Sequence, residues 1–180
     1  MTNYLNTTLS AAEIIEQLSV RIYEPPLSLL REDLAQVPEA LRNVILFIDF
    51  DTEVTMGGIL TFLENSTGKY LSETITTFVA IGAIENARHL AQIKDLMKSF
   101  GVDHNRLRKD FEGLNLFEIT TFEKTHGKEL NAMAEAIQET AELLYLGRGT
   151  EENPYELFQH YVDRNREEII TAVNSVITNQ

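Results

Sequence analysis

The run from Leu41 to Gly68, LRNVILFIDFDTEVTMGGILTFLENSTG, constrains this chain more than any other stretch. On a helical wheel Leu41, Val44, Ile45, Ile48 and Thr52 share one face, and Leu46, Phe50 and Val54 share the opposite one. Only a narrow strip with Arg42, Asp49 and Glu53, together with the isolated Asp51, is polar. A helix apolar on two faces has to be covered from several sides, so the pattern predicts a central buried helix over residues 38–56. Pro38 suits its first turn. Glycine tolerates left-handed backbone, so Gly57 is expected to close the helix with a positive φ at the Gly57-Gly58 corner. A short amphipathic piece through Ile59, Leu60, Phe62 and Leu63 should follow, with Phe62 buried against the helix, and Asn65-Ser66-Thr67-Gly68 should then turn the chain.

The flanking segments also read as helices. Ser10 and Glu13 form a capping-box pattern with Leu9 and Ile14 at the staple positions, and Pro25-Pro26 stops the helix that follows. Ser28 to Val37 reads as a second short helix. Tyr70 to Ile81 is rich in β-branched residues, which suits a strand, but Leu71, Ile75, Phe78 and Val79 keep helical spacing, and we read a helix. Ala83 to Phe100 carries Ile84, Ala87, Leu90, Met97 and Phe100 on one side. Gly101 ends it, with Val102 and Met97 placed for a Schellman contact. Asp103 can cap a helix through Leu107, Phe111 and Leu114; residues 115–127 read as loop. Lys128 to Leu146 is amphipathic, with Glu135, Glu139 and Glu142 outward and Gly147 and Gly149 after it. Asn153-Pro-Tyr-Glu156 and Asn165-Arg-Glu-Glu168 are two further capping boxes. The expectation is an all-α, single compact domain over residues 1–180 of eight to ten helices: N-terminal helices over 1–37, a core over 38–100 and C-terminal helices over 101–180.

Charge narrows the function classes. The formal net charge is −13, yet residues 88–109 carry six bases and only two acids. Contacts to phosphate need clustered Lys and Arg, so direct nucleic-acid binding is disfavoured and a basic partner protein fits better. An acidic surface also serves solubility alone. With no cysteine, no apolar run long enough to span a bilayer and no signal-like N-terminus, the expected location is cytoplasmic, away from membranes.

No catalytic motif is present, and neither a metal nor a cofactor is expected. Glu123-x-x-His126, Glu85 with His89, and Glu156 with His160 have ligand-like spacings but read as surface polar pairs. Asp49 and Glu53 share a strip in which Arg42 and other bases can balance them. The glycines match no phosphate-binding pattern. The basic island around Arg88, Lys94, Lys98, Arg106, Arg108 and Lys109 could seat a phosphate or an acidic region of a second copy, or be a solvated face.

Glu53, Val54, Gly57, Gly58, Phe62, Asn65, Ser66 and Gly68, followed by Ala80-Ile-Gly-Ala83, spell a motif, E-V-x-x-G-G-x-x-x-F-x-x-N-S-x-G. Over residues 38–100 the chain resembles a bacterial domain family named for a DNA-mimic protein. Met56, Ile59 and Thr61 stand where that family usually has Asn, an aromatic residue and Gln. The resemblance implies an all-α domain and, for the namesake, an acidic surface that occupies the DNA-binding face of a transcription factor, often as a homodimer. The candidate partner-binding residues are Glu135, Glu139, Glu142, Glu151, Glu152 and Glu156, with Glu112, Glu118 and Glu123 next. The motif residues are taken as structural. The alternative is an enzyme using Asp49, Glu53 and Asn65 around the Gly57-Gly58 corner.

Overall fold

The helices that start at Ala11, His104, Phe122 and Pro154 begin where a side chain accepts from the free N–H groups of the first turn. The computed structural model describes residues 5–114, 121–145 and 151–178. Helix α1 spans Ala11–Arg21, and Ser10 and Glu13 exchange both bonds of the capping box. The predicted helix over 28–37 is instead two 3₁₀ turns, Leu27–Glu32 and Leu34–Gln36, separated by Asp33 at φ −144°, ψ 72°. With prolines on both sides the segment is too short to repay helix nucleation.

Helix α2 runs Glu39–Glu64 and bends at Gly58. A 3₁₀ turn, Ser66–Tyr70, leads into α3, Leu71–Ile81, so helical spacing overrides the β-branched composition there. Helix α4 is Ile84–Ser99. It closes as the sequence predicts, since Val102 N–H donates to Met97 O (2.9 Å), Gly101 N–H donates to Lys98 O (3.0 Å), and Val102 and Met97 are both buried. Its inner face differs from the expectation. Ile84 and Phe100 are exposed, while Asn86 and His89 point inward. Helix α5 is His104–Glu112, capped by Asp103, and α6 is a short turn, Phe122–His126, in part of the segment read as loop. The predicted helix from Lys128 begins as a 3₁₀ turn, Lys128–Leu130, and continues as α7, Asn131–Ala141, so it stops short of the expected Leu146, residues 142–145 forming turns; Leu146, Gly147 and Gly149 themselves lie outside the described residues. Helix α8, Pro154–Arg164, has Asn153 as its cap, and α9 is Arg166–Thr178. The Asn165 amide donates to Tyr161 O (2.8 Å), so that side chain helps to close α8. No strand occurs among the described residues.

Helix α2 is the centre, as its two apolar faces require, with residues 43–50 all buried. Helix α3 covers one side, with α7, α9 and α5 around the rest, and α4 packs on α3 and α7. Phe47 stacks on Phe158 of α8 at 4.0 Å between ring centres, and Phe50 meets Phe62 and Phe78 edge-on at 4.9 and 5.2 Å. One polar chain crosses this core. Thr77 Oγ1 donates to Asn43 Oδ1, and Asn43 Nδ2 donates to Tyr161 Oη, both at 2.9 Å. Because every member has a partner, the chain ties α2, α3 and α8 together without an unsatisfied buried group.

Candidate functional site

The family-like motif explains itself as backbone architecture. Gly58 adopts φ 79° and ψ 177°, a region open essentially to glycine alone. The positive φ therefore falls at Gly58, not at Gly57 as predicted, and it bends α2 rather than ending it. Gly57 is needed for a different reason: a Cβ there would lie 2.4 Å from Thr61 Oγ1, which donates to Gly57 O at 2.7 Å. Below the bend, the Glu53 carboxylate receives Asn65 Nδ2 at 2.6 Å and Thr67 Oγ1 at 2.7 Å, pinning the turn to the helix. Gly68 sits where a Cβ would strike Phe62 O and Leu63 O at 2.6 and 2.7 Å. Phe62 is buried as expected; Ser66 is exposed.

Asp49, Asp51 and Glu53 of α2 diverge, each toward its own partners. Asp49, 3% exposed, takes a bidentate ion pair from Arg31 at 2.6 and 2.8 Å, so its counter-charge is Arg31 rather than the predicted Arg42. Asp51 Oδ1 receives the hydroxyls of Tyr145 (3.1 Å) and Tyr155. Tyr145 holds a left-handed backbone, φ 57°, its N–H donates to Asn86 Oδ1, and its ring stacks on Tyr155 at 5.5 Å. Burial, reinforced by the Asp51 charge, raises the pKa of both phenols, that of Tyr155 to about 12. These tyrosines stay neutral donors, so the cluster is a latch between α2 and the end of α7 and start of α8. Nothing local marks it in the sequence beyond a lone aspartate in an apolar helix.

A second cluster revises the histidine reading. His126 is buried, and so is His89; neither is a surface group. His126 Nε2 meets Glu64 Oε1 at 2.7 Å, and Nδ1 meets Asp110 Oδ2 at 3.1 Å. Burial disfavours the imidazolium, but the hydrogen bonds and charges of Glu64 and Asp110 outweigh it, and the pKa is raised. Glu123, the predicted companion, instead faces Lys128 (3.6 Å) and Asn131 (3.0 Å). Glu85 pairs with Arg88, and Glu156 and His160 are exposed. Among the described residues no group of three His, Asp or Glu side chains is placed to hold a metal ion.

An open groove of about 530 Å³ runs beside the Gly57-Gly58 corner, walled by Val54, Ile59, Leu60, Phe122 and Ala141, with Glu64 and Glu142 at its sides. Asp49, Glu53 and Asn65 do not line it. Of the residues named for an enzyme, Glu53 and Asn65 meet each other, while Asp49 is turned to Arg31.

The acidic candidates fall into two sets. Glu135 and Glu139 on α7, with Glu142 just past its end, are exposed, and so are Glu151 and Glu156. Glu135, Glu139, Glu151 and Glu156 face no cation among the described residues. Glu112 is paired with Arg108, and Glu118 lies outside the described residues. Glu152 turns inward: its carboxylate receives Glu85 N–H (3.1 Å), Asn86 N–H (3.0 Å) and Asn86 Nδ2 (2.7 Å), so it caps the N-terminus of α4 from outside. Helix α7 packs on α4 and α2, whereas α8 packs on α1 and α3. The end of α7 and the start of α8 meet at the Tyr145–Tyr155 stack.

No helix among the described residues is long and apolar enough to cross a membrane. No curated protein and no solved structure matches the chain. A family model described as DMP19-like protein matches residues 35–165, which extends the similarity beyond the core into α8. The chain belongs to the DMP19-like protein family.

Proposed function

We propose, with that family as the premise, that this protein is an acidic binding module whose carboxylates occupy the basic, DNA-binding surface of a partner protein such as a transcription factor. One observation carries the reading. Glu135 and Glu139 on α7 and Glu151 and Glu156 around the start of α8 are exposed and have no cation partner among the described residues, while Glu112 and Glu123 are balanced by Arg108 and Lys128. Unbalanced carboxylates on rigid helices offer charge to a partner at little cost in side-chain ordering. Charge density sets what they must do together. Duplex DNA presents one negative charge per roughly 1.7 Å, about six over the roughly 10 Å of helix from Glu135 to Glu142. Glu135 and Glu139 on α7 and Glu142 just past its end supply three acids there. The start of α8, joined to it through Asp51 and the tyrosine pair, adds Glu151 and Glu156, and a second copy in a homodimer would add more.

The test is capture from a lysate of the source cell at about 0.05 and 0.5 M salt, an interval over which the Debye length drops severalfold. Wild-type protein should retain a basic partner at the low salt only. Changing Glu135, Glu139 and Glu142 together to Gln should leave stability within about 0.5 kcal/mol, because the positions are exposed. It should also weaken capture and flatten its salt dependence. A partner held equally by the variant, with the same salt dependence, refutes the reading.

A further inference from the structure

The geometry points to a pocket for a small organophosphate on the one basic part of this acidic chain. A cavity of about 370 Å³ lies between the start of α3 and the corner joining α4 to α5, at the small end of ligand-site volumes. Lys69, Lys94 and Lys98 line it, and none faces a carboxylate among the described residues. They come from two elements, the 3₁₀ turn and α4. Lys94 Nζ donates to Ser72 Oγ at 2.7 Å, which fixes one ammonium at the wall and leaves it further donors. Lys69 Nζ lies 4.6 Å from the centre of the Tyr70 ring.

Two ordinary explanations fall short. Lysines in the last turns of a helix offset the negative end of its dipole. At α4, however, backbone bonds already close that end, through Val102 to Met97 and Gly101 to Lys98, and the dipole does not account for Lys69 on another element. A solvated face would leave the cations spread over a convex surface, whereas these three gather around a concavity with an apolar floor of Leu71, Met97 and Val102, all buried. The one acid on the wall, Asp103, is committed to capping α5 by accepting Arg106 N–H at 2.9 Å. His104 Nδ1 meets Leu63 O at 3.2 Å, and Nε2 has no partner among the described residues. The net charge of −13 does not repel an anion here, because charges more than about 8 Å away are largely screened at physiological salt and the wall itself carries three lysines against the single Asp103. A dianionic phosphate matches the ammonium groups, and the apolar floor asks for a small apolar body attached to it. The cavity shares no residue with the acidic faces of α7 and α8, so this site stands or falls separately from the proposed partner surface.

Titration of the protein with phenyl phosphate, followed by amide chemical shifts, tests the site. Saturable binding is expected, with the largest shifts at Lys69, Ser72, Lys98 and His104. Inorganic phosphate, which lacks the apolar body, should bind about tenfold more weakly, the effect of losing one to two buried methylenes' worth of contact. Lys94→Met and Lys98→Met should each weaken phenyl phosphate about tenfold, as expected for one charge-assisted hydrogen bond. The double variant Lys109→Met, Lys124→Met, which removes cations that do not line the cavity, should bind as wild type does. Non-saturable shifts, shifts spread over the basic surface, or equal loss in the control variant would overturn the assignment. Inorganic phosphate binding as tightly as phenyl phosphate would overturn the organophosphate chemistry.

Discussion

His126 makes the sharpest test of the fold's electrostatics. Its side chain is buried on α6 between Glu64 at the end of α2 and Asp110 on α5, with Phe122 packed on the ring at 4.4 Å. A protonated imidazole donates both N–H groups, one to each carboxylate. Hydrogen bonds to charged groups contribute about 1.5–3 kcal/mol each. Glu64 and Asp110 keep 15% and 33% of their side chains exposed, so water softens the loss, and we expect His126→Gln to cost about 2–3 kcal/mol in total near pH 6. The pH dependence has a definite sign. The folded pKa is raised above the unfolded value of about 6.5, so the stabilisation is fully present below pH 6.5 and is lost as pH rises through the folded pKa. Within that window one proton changes stability by at most about 1.4 kcal/mol per pH unit. Urea unfolding of wild type and His126→Gln at half-unit steps from pH 5.5 to 9 measures it, because contributions common to the two proteins cancel in the difference. A gap between the two proteins that is constant over this range, or that widens with pH, refutes the argument.

The bend in α2 and the tyrosine latch give two more expectations. A Cβ at Gly58 would meet nothing within 4 Å, so Gly58→Ala costs backbone strain alone, about 1–3 kcal/mol by chemical denaturation; an unchanged midpoint would show that φ 79° is not required. Gly57→Val should also destabilise, but through collision with Thr61, and a melting temperature equal to wild type would count against the close approach. Asp51→Ala leaves the Tyr145 and Tyr155 hydroxyls without their shared acceptor and should cost about 1–3 kcal/mol, with loss of the tyrosine near-ultraviolet circular dichroism. Retention of both the signal and the stability would mean that the latch is dispensable.

What the sequence made legible was whatever is written within a few residues. The Ser10–Glu13 box, the Met97–Val102 closure, the Asp103 and Asn153 caps and the buried two-faced helix all follow from local spacing, and all are present. Gly57 and Gly58 were not separable, because either glycine tolerates the bend and only the packing of Thr61 assigns the left-handed residue. The inner face of α4 was misread because periodicity counts apolar residues. Asn86 faces inward since Glu152, 66 positions away, receives its N–H and its amide. Asp51, His126 and Asp49 were likewise opaque, as their partners lie 16 to 104 positions distant and no local pattern encodes such pairs.

That division bears on where function can reside in this family. Most of the motif is consumed by architecture: Glu53 and Asn65 bond to each other, Gly58 sets a bend, and Gly57 and Gly68 make room. Residues occupied in this way cannot also meet a partner without breaking the turn they hold. Met56 and Ile59 flank the bend, Met56 84% exposed and Ile59 buried. Under the proposed binding role, specificity would have to come from side chains outside the motif. The latch matters for the same reason. Asp51 couples the conserved-looking helix to the acidic segment by two phenol hydrogen bonds rather than by a motif residue, and the start of α8 is held further by Glu152 on α4. Rigid placement of Glu151 and Glu156 therefore depends on contacts that a sequence motif need not record, and a relative could keep the motif, lose the latch and present a different surface.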